Sequence, residues 1–447
     1  MNTFSTFHRQ SHQDLQIAIC CLLIWLPLPL GSNRPWSNGL AITILSAIGF
    51  IWAIRKYKRP TENSMAFIKA KPAIIALVLV QLVVAVQYFA GWSLAPSETF
   101  NHLLLGSAYT LLFMLVLDLF TTRRSINLLL GTVILSGTFQ AFYGATMALS
   151  GLEWGFFGIK EYMHGLATGT FVNRNHLAGY LEISAACGIG LLLALRDHRA
   201  LSLQSIITWL TGPKALIRIA LAIMVIGLVM TRSRMGNIAF VSSMLITGAI
   251  LALANPKYRF KLAIILASLL IIDLLIVSQY FGLDELQQRL VNTQIDDKVV
   301  GGEVLIKQNV NRDEVLDYSI ILLKQHALIG SGAGSFEVIF PSVAGPDTTH
   351  HFEHAHNDYI QFAIEYGIPG SAALIFFVVY TFYNGAKALC LSGSTYRSGI
   401  GFACVMGLTA IAIHSMADFN LQIPANAATV IIISTLGLLA RFHTRTN

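Results

Sequence analysis

The part of this chain best equipped for chemistry is a short polar segment, residues 350–359, which carries four histidines. An imidazole titrates near neutral pH, so such a cluster indicates either proton transfer or metal binding. A neutral histidine can act as a general base that removes a proton from a hydroxyl group. The segment has enough ligands for a metal, but its spacing matches no common zinc signature. A third interpretation is a surface patch that caps a helix through Asn357 or Asp358. The polar residues concerned are His350, His351, Glu353, His354, His356, Asn357 and Asp358.

Three further segments carry polar side chains that are costly in an apolar chain. Residues 231–234 place Arg232 and Arg234 close together, and a planar guanidinium suits phosphate oxygens. The alternative is that these arginines only reach toward lipid headgroups. His414 and Asp418 are spaced by one helical turn, which allows a hydrogen bond on one helix face. That spacing is compatible with a structural pair and with a supporting role behind a site. The third segment consists of Asn173, Arg174, Asn175 and His176.

The elements that position these segments are transmembrane helices. Of the 447 residues, 55% are hydrophobic and 12% are charged, whereas soluble proteins carry about 25% charged residues. Apolar stretches of roughly 17–25 residues, the length that crosses a bilayer, can be drawn along nearly the whole chain. We therefore predict a single all-α, polytopic integral membrane domain over residues 1–447, with about 12 transmembrane helices. The spans are 15–31, 39–54, 73–90, 102–120, 127–149, 176–195, 215–231, 235–254, 261–281, 367–387, 398–416 and 424–440.

Positive charge is distributed by side of the membrane. The net charge of +7 is spread over alternate connections, so it does not indicate a nucleic-acid partner. Cytoplasmic loops are enriched in Lys and Arg, which places the basic connections and both termini in the cytoplasm. The same rule, applied without reference to the four polar segments, places all of them on the outer side. This agreement predicts a single site on that face.

One connection is much longer than the others and is expected to fold. Residues 282–355 form an acidic segment on the outer side, too long for a simple turn. Within it, Leu316, Ile320 and Leu323 have helical spacing and predict a surface helix over residues 313–328. The glycine-rich run 330–334 ends that helix. It lacks the Lys-Ser/Thr of a nucleotide P-loop and is interpreted as a flexible turn.

Taken in order, several segments resemble elements of the O-antigen ligase and polymerase superfamily. Residues 169–178 resemble its G-T-F-x-N-x-N-x-x-A element, and residues 231–236 its T-x-S-R-x-G element, with Met235 where a small residue is common. Arg312 followed by residues 330–336 is similar to the arginine and G-x-G-x-G-x-F run of its large periplasmic loop, although Leu316 stands where an aromatic residue is frequent. Residues 354–370 resemble its H-N-x-Y-L…E-x-G-x-x-G element, with Ile360 for the leucine, and residues 414–419 fit a feature near the end of such chains. The ordered matches cover about residues 165–425.

The resemblance implies a bacterial inner-membrane glycosyltransferase whose donor is a glycan linked to a polyprenyl diphosphate such as undecaprenyl diphosphate. The glycan would move, with inversion, to the hydroxyl of an acceptor such as the glycolipid lipid A-core, on the periplasmic side and without a cofactor or a metal. By motif position Arg234 and Arg312 would hold the diphosphate, and His356 would be the general base. The site is completed by Arg232 at the diphosphate, by His354 beside the base, by a donor and acceptor pocket of Asn173, Asn175, His176, Asn357 and Asp358, and by His414 and Asp418 in support.

Two rival functions remain open at this point. A polymerase, which joins one lipid-linked repeat to another, shares the donor chemistry and differs only in the acceptor. A flippase or transporter of lipid-linked sugars would also need arginines on the outer side, but alternating access normally places polar groups along a path at the midplane. Here they gather on one side, which favours an enzyme. A protein O-glycosyltransferase is less expected, because no extra module follows the segment from His414 to Asp418.

Overall fold

The structure, a computed structural model, is built almost entirely of helices in its described part. It describes the chain except residues 1–2, 61, 156–157, 161, 196–211, 257–258, 261, 265, 270, 272–297, 301–302, 306–311, 346–350, 392 and 444–447. Most of the segment 282–311, His350 and the side chain of Arg312 therefore lie outside the described part.

Nine helices of the described part are long and apolar enough to cross a membrane, and they correspond to nine of the predicted spans. The helices are α1 (Thr3–Trp25), α2 (Pro35–Lys58), α3 (Met65–Lys69), α4 (Lys71–Phe89), α5 (Pro96–Leu119), α6 (Arg123–Ser150), α7 (Arg174–Ala194), α8 (Pro213–Met230), α9 (Arg234–Ala254), α10 (Arg312–His326), α11 (Phe336–Ile339), α12 (Asp358–Leu389), α13 (Thr395–His414) and α14 (Pro424–Phe442). The strands form two antiparallel hairpins, β1 (Trp154–Gly155) with β2 (Gly158–Ile159), and β3 (Lys298–Val300) with β4 (Glu303–Leu305).

The all-α, polytopic class is thereby confirmed, while the count of 12 spans stays a prediction. Of the other three predicted spans, residues 15–31 overlap the apolar part of α1, His12–Trp25, which is shorter than a full span. Residues 215–231 coincide with α8, and residues 261–281 fall largely outside the described residues.

Three of the four polar segments begin a helix, and their side chains cap it. Asn173 Oδ1 accepts a hydrogen bond from Asn175 N at 2.9 Å, and Ser233 Oγ accepts one from Gly236 N at 3.2 Å. Asn357 Oδ1 accepts one from Ile360 N at 3.1 Å. Such bonds satisfy amide groups that have no partner inside the helix. The capping role expected of Asn357 or Asp358 is therefore confirmed, and Asn357 performs it.

Helix α7 forms the centre of the bundle. All residues from Asn175 to Ala194 are buried, and α13 lies directly against it. The two backbones approach closely, because a Cβ atom on Gly190 would lie 2.6 Å from the Cβ atom of Ala403. Close packing through small residues stabilises helix pairs in lipid, where the hydrophobic effect contributes little. Helix α7 thus carries its polar first turn to one end of a firmly packed bundle.

Helix α12 starts earlier than predicted and is bent. It begins at Asp358, ahead of the predicted start at residue 367, and its direction changes at Gly367, whose φ is 62°. Glycine adopts this left-handed conformation without steric cost. A Cβ atom on Gly367 would also lie 2.6 Å from Gly330 N, so the two backbones cross where only hydrogen atoms fit. The first part of α12, residues 358–366, therefore supports the histidine segment ahead of the bend.

The described part of the large loop folds onto this first part of α12. Helix α10 confirms the helix predicted over residues 313–328, and its Val315 and Leu322 pack with Phe336, Phe340 and Ile364 in a separate apolar core. The glycine run forms a turn, as predicted, and backbone hydrogen bonds attach it to α12. Ser331 N donates to Ile364 O at 2.9 Å and Gly332 N donates to Glu365 O at 3.1 Å. The run is held because its partners belong to α12, a pairing that local sequence does not show.

Candidate active site

The polar segments that were predicted to share one face meet at one end of the bundle. Asn357 Nδ2 donates to Met416 O at 2.9 Å, and Asp358 N donates to Ser415 O at 3.0 Å. Asn175 Nδ2 donates to Asp418 Oδ2 at 2.6 Å. These bonds join the starts of α7 and α12 to the connection that follows α13.

The arginine segment reaches this cluster through Glu182 on α7. A Cβ atom on Gly236, in the first turn of α9, would lie 3.1 Å from Glu182 Oε1. The same carboxylate bonds His414 Nδ1 at 2.8 Å, and both side chains are fully buried. The structure thus brings all four segments together at the end where α7, α9 and α12 begin.

The aromatic ring of Phe419 is the centre around which three histidines gather. Its centroid lies 4.7 Å from that of His176, 4.3 Å from that of His354 and 4.9 Å from that of His356. We did not single out Phe419 in the sequence, although it directly follows Asp418 in the last of the recognised motifs. An aromatic face between imidazoles fixes their spacing and excludes water from that side. His351 lies apart from this group, with its Nε2 atom 2.7 Å from Glu337 Oε1.

The ring of His354 is held in one protonation state by Gln361. Gln361 Oε1 accepts a hydrogen bond from Ala355 N at 3.1 Å, which orients the amide and directs its Nε2 atom toward His354 Nδ1, also at 3.1 Å. Since an amide nitrogen only donates, Nδ1 is the acceptor and the proton of the neutral ring is on Nε2. Burial, reinforced by the neighbouring His176 and His356, lowers the pKa of His354 from 6.5 to about 3. His354 is therefore a neutral hydrogen-bond donor near pH 7.

Glu365 holds Gln361 in the position that orients His354. Its carboxylate accepts hydrogen bonds from Gln361 Nε2 at 3.0 Å, from Gly334 N at 3.0 Å and from Phe336 N at 3.3 Å. Its backbone oxygen accepts one from Gln87 Nε2 on α4 at 2.8 Å, and the same amide bonds Ile329 O. The glycine run therefore wraps a protein carboxylate. The sequence placed Glu365 in a recognised motif without a role, and nothing there indicated the contribution of Gln361 or Gln87.

The backbone at His356 is strained. Its φ is 51°, in the left-handed region that costs a residue with a Cβ atom roughly 1–2 kcal/mol. The ring is partly buried and contacts Phe419 and Phe352 edge-on, with centroids 4.9 Å and 6.4 Å away. Strain of this kind persists only where the surroundings enforce it, and it is frequent at functional sites. His356 is thus directed toward the other two histidines by the turn before the Asn357 cap.

The residues behind the site differ in part from the prediction. Helix α13 ends at His414, so Asp418 lies in the following connection and is not one helical turn further along the same face. His414 pairs with Glu182, a residue 232 positions away, while Asp418 bonds Asn175 and lies 3.8 Å from His176 Nε2. Asp358 is also buried; its Oδ2 atom accepts bonds from Ser415 Oγ and Leu421 N.

The predicted diphosphate ligands are described in part. Arg234 is the first residue of α9 and is exposed, and it forms no ion pair or hydrogen bond with the residues that the structure describes. Arg232 is partly buried, with φ 52°. Arg312 begins α10, and its side chain lies outside the described part. Within that part, no three side chains of the ligand-forming types converge in a way that would hold a metal ion. The role of all three arginines stays a prediction.

Fold and site together define an integral membrane protein with a polar site at one end of its helical bundle. Residues 219–375 match the protein-family model described as O-antigen ligase, and the matched stretch contains both Arg234 and the histidine segment. The resemblance to the O-antigen ligase superfamily is thereby confirmed. A comparison with curated proteins gives no match. The family match supports a transferase of lipid-linked glycans in general, with a donor and an acceptor in the membrane.

Proposed function

We propose that this protein transfers a polyprenyl-diphosphate-linked glycan to the hydroxyl group of an acceptor glycolipid at the periplasmic face of the bacterial inner membrane. The observation that carries the proposal is the convergence of the strained His356 with the exposed Arg234 helix start at one end of an apolar bundle. A lipid-linked donor presents its diphosphate at the membrane surface, where that end would lie.

The proposed reaction needs only groups that the chain itself provides. The acceptor oxygen attacks the anomeric carbon, and the bond between this carbon and the diphosphate oxygen breaks. The electron pair leaves with the diphosphate, and the hydroxyl proton passes to His356. Because the attack is direct, the configuration at the anomeric carbon inverts. Negative charge grows on the diphosphate, so arginines directed there stabilise the transition state more than the ground state.

His354 and His356 would have different roles in the reaction. His354 is held by Gln361 as a neutral donor, so it does not accept the proton and is suited to hydrogen-bond a substrate oxygen. His356 is the remaining candidate for the base in the recognised motif. His356 directly precedes the cap residue Asn357, so it is the histidine that matches the H-N pair of the recognised motif.

The N-termini of three helices would add positive charge to that of the arginines. Helices α7, α9 and α12 all begin at the site, at Arg174, Arg234 and Asp358. The N-terminus of a helix carries roughly half a positive charge, which favours an anion nearby. Three such ends beside Arg234 and Arg232 would attract a diphosphate without a metal, with Arg312 completing the set from α10.

The decisive experiment is reconstitution in liposomes with a radiolabelled lipid-linked donor. We expect release of free polyprenyl diphosphate only when an acceptor is present. Transfer to a lipid A-core acceptor identifies a ligase, whereas growth of the lipid-linked glycan without that acceptor identifies a polymerase. Movement of intact donor across the bilayer with no release would identify a flippase and refute the proposal. In a deletion strain, unligated chains accumulate for a ligase and single repeats for a polymerase.

The periplasmic location needs its own test. Cys21 and Cys390 are exposed, so the measurement starts from a variant with all five cysteines replaced by serine. A cysteine at the exposed Glu353 should react with an impermeant thiol reagent in intact spheroplasts, and one at the exposed Lys69 should react only after lysis. The reverse pattern would place the site in the cytoplasm and end the proposal.

A further inference from the structure

A cavity lies near the candidate active site, between the end of α6 and the connection to α7. It has a volume of about 330 Å³, at the small end of the range for ligand pockets. Its walls come from the last turns of α6 and from described residues between Glu153 and Val172, with Leu30 and Arg34 from the connection before α2. All of these residues precede 219–375, so the family match assigns the cavity no role.

The lining combines aromatic rings with charged groups. Trp154 and Tyr162 are 63% and 71% exposed, and Tyr143 lies beside them. Lys160 and Glu153 form an ion pair at 3.8 Å, and Arg34 contributes a guanidinium. The C–H face of a pyranose ring stacks on an aromatic ring, and its hydroxyl groups bond charged and amide groups. Aromatic rings with a polar handle suit such a ligand.

Bonds within the chain hold the wall of the cavity in place. The Glu153 carboxylate accepts a bond from Gly165 N and lies 2.6 Å from His164 Nδ1, and Lys160 Nζ donates to Leu166 O at 2.7 Å. The β1–β2 hairpin then holds Trp154 opposite Ile159. A preformed wall avoids the entropic cost of ordering a loop on binding.

The wall of the cavity adjoins the candidate active site. Ala167 N donates to Met230 O at 3.0 Å, immediately before the arginine segment, and Thr170 Oγ1 donates to Pro27 O at 2.6 Å. The same wall runs on into Asn173, the cap of α7. A glycan chain attached at the reacting centre would therefore pass this cavity.

We propose that the cavity binds one pyranose unit of a substrate glycan, stacked on Trp154 and Tyr162, and that Arg34 favours a sugar carrying a carboxylate or a phosphate. This inference rests on the proposed function, because the bound sugar would belong to either the donor glycan or the acceptor glycan. A guanidinium forms paired hydrogen bonds to such anionic groups, which gives the cavity a preference that aromatic stacking alone does not.

The test measures binding and needs no turnover. Purified protein in detergent is titrated with two fluorescently labelled probes, the delipidated donor oligosaccharide and the delipidated acceptor oligosaccharide. For the probe that binds, Trp154→Ala should raise Kd about tenfold, and Arg34→Gln should raise it only when the probe carries an acidic group. Trp92→Ala is the matched control, because Trp92 is an exposed tryptophan (52%) outside the cavity.

Each outcome separates this inference from the transferase proposal. Equal effects of Trp154→Ala and Trp92→Ala, or none from either, would make Trp154 an interfacial anchor and overturn the cavity assignment, even in an active transferase. Loss of binding in Trp154→Ala alone supports the cavity assignment even if no glycan transfer is detected. Trp154→Phe keeps a ring, so it should retain most of the affinity; failure to do so would contradict stacking.

Discussion

Replacement of His356 tests the central chemical assignment. We predict that His356→Ala lowers glycan transfer by about 10²–10⁴-fold, the usual effect of removing one positioned base. At about 1.36 kcal/mol per factor of ten, the transition state loses about 3–5 kcal/mol of stabilisation. Donor binding should persist, because the imidazole acts on the acceptor hydroxyl and not on the diphosphate.

The backbone at this position allows the loss of chemistry to be separated from a loss of stability. Because φ at residue 356 is 51°, a glycine there relieves strain that an alanine retains. His356→Gly should therefore be more stable than His356→Ala by roughly 1 kcal/mol, as measured by thermal unfolding in detergent. Both variants should be equally inactive. If the glycine variant regained activity, the imidazole would have a structural role only.

The assay measures release of polyprenyl diphosphate from labelled donor in liposomes. His351→Ala is the control, because His351 is exposed and its only described partner is the exposed Glu337. Activity of the wild type should rise with pH through the neutral range in which an imidazole deprotonates. His354→Ala should lower activity less than His356→Ala; the opposite ranking would mean that the base is the other histidine. If chelation by EDTA abolishes activity and divalent ions restore it, the segment is a metal site.

Three further predictions concern the groups around the base. Arg234→Lys and Arg312→Lys should each lose most activity in a folded protein, because an ammonium does not reproduce the paired bonds of a guanidinium; near-normal turnover in both would argue against contact with the diphosphate. The pKa of His354 is lowered from 6.5 to about 3, so its contribution to stability is complete above pH 6.5 and declines as the pH falls toward 3. His354→Asn should therefore show a smaller fall in unfolding temperature than the wild type between about pH 6.5 and 4.5, and equal slopes would contradict the buried neutral ring. Glu182→Ala leaves His414 buried without its carboxylate and should lower the free energy of unfolding by about 3–5 kcal/mol, while Glu182→Gln should cost less; an unchanged unfolding temperature for the alanine variant would show that the pair does not stabilise the fold.

The sequence was sufficient for those features that depend on local pattern. Apolar length predicted the nine spans that described helices match, and the capping preference of asparagine indicated Asn357 or Asp358 as a cap, although the predicted span began only at residue 367. The positive-inside rule placed the four polar segments on one face, and the structure brings them to one end of the bundle. Which membrane side that end faces stays a prediction.

The features that sequence reasoning missed depend on residues that meet only after folding. Glu182 and His414 are 232 positions apart, so periodicity within either helix could not pair them. Spacing instead suggested His414 with Asp418, because it assumed that α13 continues past residue 414. Likewise Gln361 is an ordinary polar residue until its three partners, Ala355, His354 and Glu365, are placed around it.

The bond between Gln87 and the backbone oxygen of Glu365 has a consequence for biosynthesis. Gln87 lies in α4, and the residue that it bonds is made 278 positions later. At about 5–20 residues per second, a ribosome needs roughly 15–55 s to cover that distance. During this interval the amide of Gln87 exists without the buried oxygen that it bonds in the folded protein. The bonds from Asn175 to Asp418 and from Glu182 to His414 also span 243 and 232 positions, so the site closes only after residues 414–418 have been synthesised.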